Sequence, residues 1–382
     1  MSDQMPPWPG QPGPYGQPGP YGQPGPYGQP GYGYGRAPWQ EAPAPGGIPL
    51  RPLRVGDLLS GALTSARRNP AATFGLAALI AVLPAIGGAF VARLEQSSLS
   101  DLQNPGGAGQ TLTREQVRHL FHSLASMGVA TFVLAIVSLF LVASLSGMLS
   151  SVVGGNLLGQ TSSLADAWRS GRIVAVTATV LLQAGLGLCL PVLVTALVII
   201  LLVAHLWPAA LAAGILGAIA SAVLATALFV RLSPAVPAVV LERISPGQAI
   251  RRSWELTYGS FWRMLGILLL TALVVGFAAD LIALPFTIVG LVATGSHQLA
   301  PFGFDSGASP VAVVLSAVGY VLAGALTWPI SAGVTVLLYA DLRMRREGLD
   351  AVLRAAAASG VTGPELDAAW LTPPSGPAQP GR

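Results

Sequence analysis

Length, composition and charge place the chain in lipid rather than in water. Its 382 residues are 52% hydrophobic and only 9% charged, whereas soluble domains carry roughly a quarter charged residues, so a water-soluble globular protein is excluded. The net charge is +4, but all 20 basic residues are arginines that flank apolar stretches, which argues against nucleic-acid binding. The one cysteine, Cys189, excludes an intramolecular disulfide and a Cys-x-x-Cys site.

Residues 1–48 form a low-complexity segment rich in Pro, Gly, Gln and Tyr, in which the hexamer Gly-Gln-Pro-Gly-Pro-Tyr begins at Gly10, Gly16 and Gly22. Proline removes backbone donors and glycine raises the entropy cost of ordering, so we predict a disordered cytoplasmic tail. A plain solvated tail is the simpler interpretation of its tyrosines. The alternative is that they make weak multivalent contacts with a cytoplasmic protein.

The first two predicted membrane spans enclose a polar loop. Asn69–Ala92 has no charged residue and is long enough to cross a hydrocarbon core about 30 Å thick. The second span is centred on Met127–Val153. Between them, the capping-box pattern Thr113–Gln116 predicts the start of a short amphipathic helix.

Four further spans follow from longer apolar runs. Ile173–Val230 contains no Asp, Glu, Lys or Arg, and as a single helix it would be about 87 Å long, so the chain must turn back within it. We predict that turn at His205–Pro208, since proline fits the first turn of a helix and tryptophan favours the membrane interface. The fifth span begins near Met264 and the sixth at Pro310. The predicted fold class is therefore all-α and polytopic, with six transmembrane helices.

Arginine placement predicts the orientation. When the loops are assigned alternately to the two sides, 17 of the 20 arginines fall on the side of both termini. By the positive-inside rule the termini are cytoplasmic, which predicts a multi-pass protein of the cell membrane. An even number of spans is favoured, because an odd number would leave one basic terminus outside. We expect the membrane domain over 49–355 and a flexible cytoplasmic tail over 356–382.

Three cytoplasmic segments resemble one another, and each precedes an odd-numbered span. They begin at Val55, Ser162 and Ser245 with a helix-start signal, and each closes with arginine. The third segment has an apolar face and a charged face, formed respectively by Ala249, Ile250, Trp254 and Phe261, and by Arg251, Arg252 and Glu255. The pattern predicts three units, each an interfacial amphipathic helix followed by a transmembrane hairpin. The alternative is that any short basic loop between two spans has this appearance.

Four motifs carry a resemblance to a known family. They are Leu50-Arg-Pro-Leu-Arg-Val-Gly-Asp-Leu-Leu-Ser-Gly-Ala62, Arg67-Arg-Asn-Pro70, Arg251-Arg-Ser-Trp254 with Phe261-Trp-Arg-Met-Leu-Gly266, and Tyr339-Ala-Asp-Leu-Arg-Met-Arg-Arg-Glu-Gly-Leu-Asp350. Together they resemble actinobacterial membrane proteins labelled glycerophosphoryl diester phosphodiesterase membrane domain, over roughly residues 48–355. The resemblance implies a membrane module without chemistry of its own. In enzymes that bear this domain, the chemistry resembles that of a separate metal-dependent TIM barrel, which needs about 250 residues of its own. We find no such stretch in this sequence, so no catalytic residue carries over.

Candidate functional residues are few. We predict no catalytic, cofactor or metal site, since GxSxG, Walker-type and HExxH patterns are missing and the four histidines have no evident partner set. Two polar residues within the spans are candidates, Asp280 and Gln183, and an ionisable group in a membrane is a functional candidate by default. Basic residues at the cytoplasmic edges are candidates for contact with anionic lipid headgroups: Arg67, Arg68, Arg251, Arg252, Arg343, Arg345 and Arg346.

Two functions from different classes fit these patterns. The first is a non-catalytic membrane scaffold or anchor that contacts anionic lipid and recruits a cytoplasmic protein through residues 1–48. The second is a transporter or permease for a small molecule or lipid. It is motivated by Asp280, Gln183 and three prolines that could mark broken helices around a substrate, Pro84, Pro191 and Pro285.

Overall fold

A computed structural model of the protein describes residues 46–103, 114–160, 168–169, 172–294, 310–359 and 368–371, all within one unit of the chain, residues 41–382. Several predictions fall wholly or largely outside these described residues. They are the tail repeats, the capping residue Thr113, the second cytoplasmic segment from Ser162, and the last residues of the C-terminal tail.

Within the described residues the chain forms ten α-helices and no strand. They are α1 (Val55–Arg68), α2 (Leu76–Gln103), α3 (Arg114–Leu157), α4 (Ile173–Val203), α5 (Trp207–Leu232), α6 (Ala235–Leu241), α7 (Pro246–Thr257), α8 (Phe261–Thr294), α9 (Pro310–Glu347) and α10 (Leu349–Ala358). A π-helical turn, Ala71–Gly75, leads into α2, and a 3-10 turn, Ala368–Trp370, follows α10.

Six helical stretches of the described chain are long and apolar enough to cross a membrane. They are Ala71–Val91, Gly128–Leu157, Ile173–Val203, Trp207–Leu241, Phe261–Gly290 and Val311–Glu347. The predicted all-α polytopic fold and its six spans are thereby confirmed. The predicted turn between the third and fourth spans is also confirmed, because α5 begins at Trp207 with Pro208 in its first turn.

One predicted element differs. The short amphipathic helix expected before the second span is not separate: α3 runs without interruption from Arg114 to Leu157. No proline occurs in this stretch, so every backbone N–H can continue the hydrogen-bond ladder of the helix from the polar loop into the span.

The span prolines do not mark broken helices. Pro84, Pro191 and Pro285 lie inside the continuous helices α2, α4 and α8. A transmembrane helix tolerates proline where local adjustment and neighbouring groups satisfy the freed carbonyls. The prolines therefore give no support to a substrate site formed by discontinuous helices.

The best-packed part of the molecule is the end that we call the arginine-rich end: α1, α6, α7, α10, the first turns of α8 and the last turns of α9. All of these elements contribute fully buried side chains, and the segment before α1 and the end of α9 together supply Ile48, Leu50, Leu53, Leu338 and Tyr339. By contrast, none of the most apolar stretch of α4 is buried. The apolar side chains of α4 are free to face lipid.

The short helices at this end pack on protein. Helix α7 starts as predicted, with the Ser245 N–H donating to Gln248 Oε1 at 3.1 Å in a capping box. Its buried face is Ala249, Ser253, Leu256 and Thr257, whereas Trp254, predicted to lie on the apolar face, is 46% exposed. The face differs from the prediction because α7 packs against α6 and the ends of α4 and α5 rather than lying on lipid alone.

Both ends of the predicted membrane domain extend further than expected. Ile48, assigned to the disordered tail, is fully buried in the core of the arginine-rich end. Residues 368–371, assigned to the flexible C-terminal tail, include buried Ala369 and Trp370, and the carbonyl oxygen of Trp370 accepts a hydrogen bond from Arg343 Nη1 at 3.0 Å.

Candidate lipid-facing site at the arginine-rich end

Asp341 joins three elements at the arginine-rich end. Its fully buried carboxylate accepts the Leu53 N–H at 2.7 Å, Arg263 Nη1 at 2.5 Å and Arg345 Nε at 2.9 Å. The two guanidinium groups also donate to the carbonyl oxygen of Leu53, at 3.1 Å and 3.0 Å. One carboxylate thus fixes the segment before α1, the first turn of α8 and the end of α9, and both arginines bond within the protein.

A second ionic cluster joins α6, α7 and α9. Glu242 accepts from Arg252 Nε at 3.2 Å and from the Tyr339 hydroxyl. Glu347 pairs with Arg252 Nη2 at 2.5 Å and accepts from Arg343 Nε at 2.9 Å. Burial alone would lower the pKa of Arg252, but the carboxylates of Glu242 and Glu347 outweigh it and raise that pKa above its usual value. Arg252 therefore stays charged and committed to these partners.

An amide side chain fixes α1 to α3. Asn156 Nδ2 donates to the hydroxyl of Ser65 at 2.6 Å, and its Oδ1 accepts from Asn69 Nδ2 at 2.9 Å. Gly46 approaches the same residue so closely that a Cβ there would lie 1.5 Å from the Asn156 carbonyl oxygen. The backbone before α1 can reach this position only because residue 46 has no side chain.

The seven arginines predicted to contact headgroups fall into two groups. Arg252 and Arg343, with side chains 20% and 3% exposed, form ion pairs within the second ionic cluster. The other five are exposed: Arg67, Arg68, Arg251, Arg345 and Arg346. Of these, Arg345 is bonded to Asp341, and Arg346 Nη1 donates to the Glu255 carbonyl oxygen at 3.0 Å. The surface available to lipid is therefore smaller than the sequence indicated.

Aromatic residues at this end were not among the predicted candidates. Tyr258 and Trp262 are 72% and 80% exposed, and Trp262 meets the Phe261 ring edge-on at 5.4 Å. Tyrosine and tryptophan are the residues enriched where a membrane meets water. The signal in the sequence is the concentration of aromatic residues, Trp254, Tyr258 and Trp262, around the boundary where α7 ends at Thr257 and α8 begins at Phe261.

Arg231 was also missed. Its guanidinium carbon lies 4.5 Å from the centre of the Trp254 ring and 5.8 Å from that of Phe261. The sequence shows only one more basic residue at the end of a span, because its aromatic neighbours come from other helices.

The two predicted intramembrane polar residues are not brought together. Asp280 is exposed on α8 and does not line the cavity that the structure contains at span depth. Gln183 does line that cavity, and its Nε2 donates to the Leu232 carbonyl oxygen at 3.0 Å. The cavity measures about 410 Å³ and lies between α3, α4, α5, α6 and α9.

The cavity is apolar with a few hydroxyl groups. Ser146, Ser150 and Thr335 line it, and each hydroxyl donates to a carbonyl oxygen of its own helix. Their oxygens remain able to accept, as does Gln183 Oε1. Such a lining suits a molecule that is mainly apolar and carries a hydrogen-bond donor. Among the described residues there is no group of three or more His, Cys, Asp or Glu that could hold a metal ion.

Comparison with known proteins identifies a family but no activity. No curated protein and no solved structure matches the chain. A family model described as a domain of unknown function matches residues 53–342, a range that begins at Leu53 and includes its partner Asp341. The match does not link the chain to the glycerophosphoryl diester phosphodiesterase membrane domain, so that resemblance stays a prediction. The chain, with six helices long and apolar enough to cross a membrane among its described residues, belongs to the family that this model defines, domain of unknown function DUF7847.

Proposed function

We propose that the protein is a non-catalytic membrane anchor whose arginine-rich end rests on anionic lipid and presents its tails to cytoplasmic partners. The observation that carries the proposal is the packing of that end. Two clusters of carboxylates fix the segment before α1 and the helices α6, α7, α8 and α9, while four arginines outside these clusters stay at the surface: Arg67, Arg68, Arg251 and Arg346. A stiff basic surface with exposed aromatic residues fits a headgroup layer.

The orientation is part of the proposal. Both termini belong to the arginine-rich side, so the positive-inside rule puts that side in the cytoplasm of a cell membrane. Residues 1–48 would then extend from a fixed point, since the chain enters the core at Ile48. A tail anchored in this way keeps any partner it binds close to the inner leaflet.

Lipid enrichment tests the anchor. The full chain is reconstituted in nanodiscs that contain equal amounts of phosphatidylglycerol and phosphatidylcholine. It is then extracted from the nanodiscs in mild detergent, and the lipids that remain bound to it are quantified. We expect phosphatidylglycerol to be enriched, and the combined change of Arg67, Arg68, Arg251 and Arg346 to glutamine to abolish the enrichment. Arg118→Gln, an exposed arginine on the opposite side, is the matched control and should leave it unchanged. Equal lipid ratios around the wild-type protein would refute the lipid contact.

Partner recruitment needs a separate experiment. Crosslinking in native membranes compares the full chain with a variant that lacks residues 1–45, which retains the packed Ile48. We expect at least one protein to crosslink to the full chain and not to the shortened chain. A third chain, in which the order of residues 1–45 is scrambled and their composition is kept, is the control for nonspecific attraction of proteins to the tail. Identical crosslinked sets from all three chains would refute recruitment through the tail.

The cavity beside Gln183 favours a second candidate, a transporter or permease for a lipid or small amphipathic molecule. Gly187 lines the cavity and Gly185 does not, and a Cβ at either position would have no heavy atom within 4 Å. Gly187→Leu should therefore place a side chain inside the cavity and narrow it, and Gly185→Leu is its control. The assay measures how fast fluorescent phospholipid exchanges between the two leaflets of proteoliposomes. Transport is supported if the wild type and Gly185→Leu scramble the lipid and Gly187→Leu does not. Scrambling no faster than in protein-free vesicles would remove this candidate for lipids.

A further inference from the structure

Arg231 is a cation without an anion in the described part of the chain. It lies in the last turn of α5 and is half-buried. Its Nη1 is buried and has no hydrogen bond, and no described carboxylate forms an ion pair with it. A guanidinium group that leaves water without a counter-charge is unfavourable, especially within a membrane-spanning stretch, here Trp207–Leu241. The fold tolerates this cost although none of the five guanidinium N–H groups of Arg231 bonds to a described residue.

The surrounding side chains hold Arg231 in place. The Trp254 ring lies 4.5 Å from the guanidinium carbon, and Phe261 closes a second side at 5.8 Å. Ser253 Oγ donates to the Arg231 carbonyl oxygen at 2.6 Å and so ties the end of α5 to α7. Attraction between the cation and the ring faces offsets part of the desolvation. It leaves the N–H donors free for an anion, and a guanidinium offers them as a planar fork that matches phosphate.

We propose that Arg231, framed by Trp254 and Phe261, binds the phosphate of one anionic phospholipid. The site rests on the proposed function and deepens it, because it names one specific lipid site within a surface that otherwise attracts lipid broadly. Trp262 is exposed and meets the Phe261 ring edge-on, and an exposed tryptophan is typical of the headgroup layer. The nearest acidic residue along α7, Glu255, is already paired with Arg251 at 2.9 Å.

The shared chemistry is a phosphate monoanion or diester, which a lipid or the cytoplasm could supply. Lipid is favoured because the rings are apolar and Trp254 is 46% exposed, so acyl chains can cover a ring face that a free phosphate would leave in water. The two sources predict different competition. Inorganic phosphate would displace a soluble ligand and would leave a lipid, held also by its tails, in place.

Native mass spectrometry of the detergent-solubilised full chain measures the site. Phosphatidylglycerol and phosphatidylcholine with the same acyl chains are titrated separately, with inorganic phosphate added in a third series. We expect one phosphatidylglycerol to be retained where phosphatidylcholine is lost. Arg231→Gln should weaken that retention about tenfold or more, since charge-assisted hydrogen bonds are lost, and Arg231→Lys should fall between. Arg354→Gln, at an exposed position on α10 that has no assigned role in lipid contact, is the control and should retain the lipid.

The outcomes separate the site from the broader proposal. Loss of the single lipid in Arg231→Gln, with nanodisc enrichment unchanged, establishes the site. Retention equal to wild type in Arg231→Gln, or displacement by inorganic phosphate, overturns it. If Arg231→Gln does not fold, Arg231→Lys decides: retention weaker than that of the wild type supports the site, and retention equal to it overturns the site. A wild-type protein that retains one lipid without broad enrichment would refute the anchor's basic surface and leave the Arg231 site standing.

Discussion

Replacing Asp341 by asparagine should destabilise the arginine-rich end while conserving the shape of the side chain. The change removes the carboxylate that Arg263 and Arg345 share and sets an amide against two donors. Removing one partner of a buried ion pair costs about 3–5 kcal/mol. The two arginine side chains are 34% and 42% exposed, so water screens part of their released charge, and we expect about 2–4 kcal/mol.

Unfolding of the full chain in mixed micelles, followed by circular dichroism, measures this change in free energy. Asp350→Asn is the matched control, because its pair with Arg354 lies on α10 and is more exposed, so we expect less than about 1 kcal/mol. Hydrogen exchange gives a local readout: the Leu53 amide, which donates to Asp341, should exchange faster. A loss no larger than that of Asp350→Asn, or unchanged exchange around Leu53, would refute the role assigned to Asp341.

Three further predictions use neighbouring or equivalent positions as controls. Gly46→Ala should destabilise the protein by more than about 2 kcal/mol in the same unfolding assay, because its Cβ would overlap backbone, whereas Gly56→Ala, in open space on α1, should be neutral or slightly stabilising. Arg252→Gln should cost about 2–4 kcal/mol by breaking a buried pair, whereas Arg251→Gln, 84% exposed, should cost less than about 0.5 kcal/mol; equal losses would contradict the ion-pair assignment. With Cys introduced singly, Arg118→Cys should react with an impermeant thiol reagent in intact cells and Arg251→Cys only after permeabilisation; the reverse would invert the topology.

The spans were predictable because their signals are local. A charge-free run of sufficient length specifies a membrane helix wherever it occurs, and Pro208 and the capping box of Ser245 and Gln248 mark helix starts within four residues. The exact face of α7 was not predictable in the same way. Trp254 and Ala249 are both apolar, and only the positions of α6 and α5 decide which of them is buried.

The site was less predictable because its contacts are distant in the sequence. Leu53 and Asp341, which bond to each other, are 288 positions apart, and no spacing rule connects them. Arg251 and Arg252 look equivalent as neighbours in one basic run, yet one is 84% exposed and the other is clamped between two carboxylates. Arg231 could not be distinguished from a topology determinant until its aromatic neighbours were known.

The positions of these contacts along the chain also limit the order in which the helices can assemble during synthesis. The carboxylate of Asp341 belongs to the last span, whereas two of the groups that it bonds, the Arg263 guanidinium and the Leu53 N–H, are synthesised earlier. Until residue 341 has been translated, the Arg263 guanidinium must remain hydrated at the bilayer edge, with five helices inserted but not yet held together by this carboxylate. Release of the sixth helix from the insertion machinery is then the event that completes assembly. A nascent chain halted before residue 341 should therefore be inserted, loosely associated and open to quality-control proteolysis.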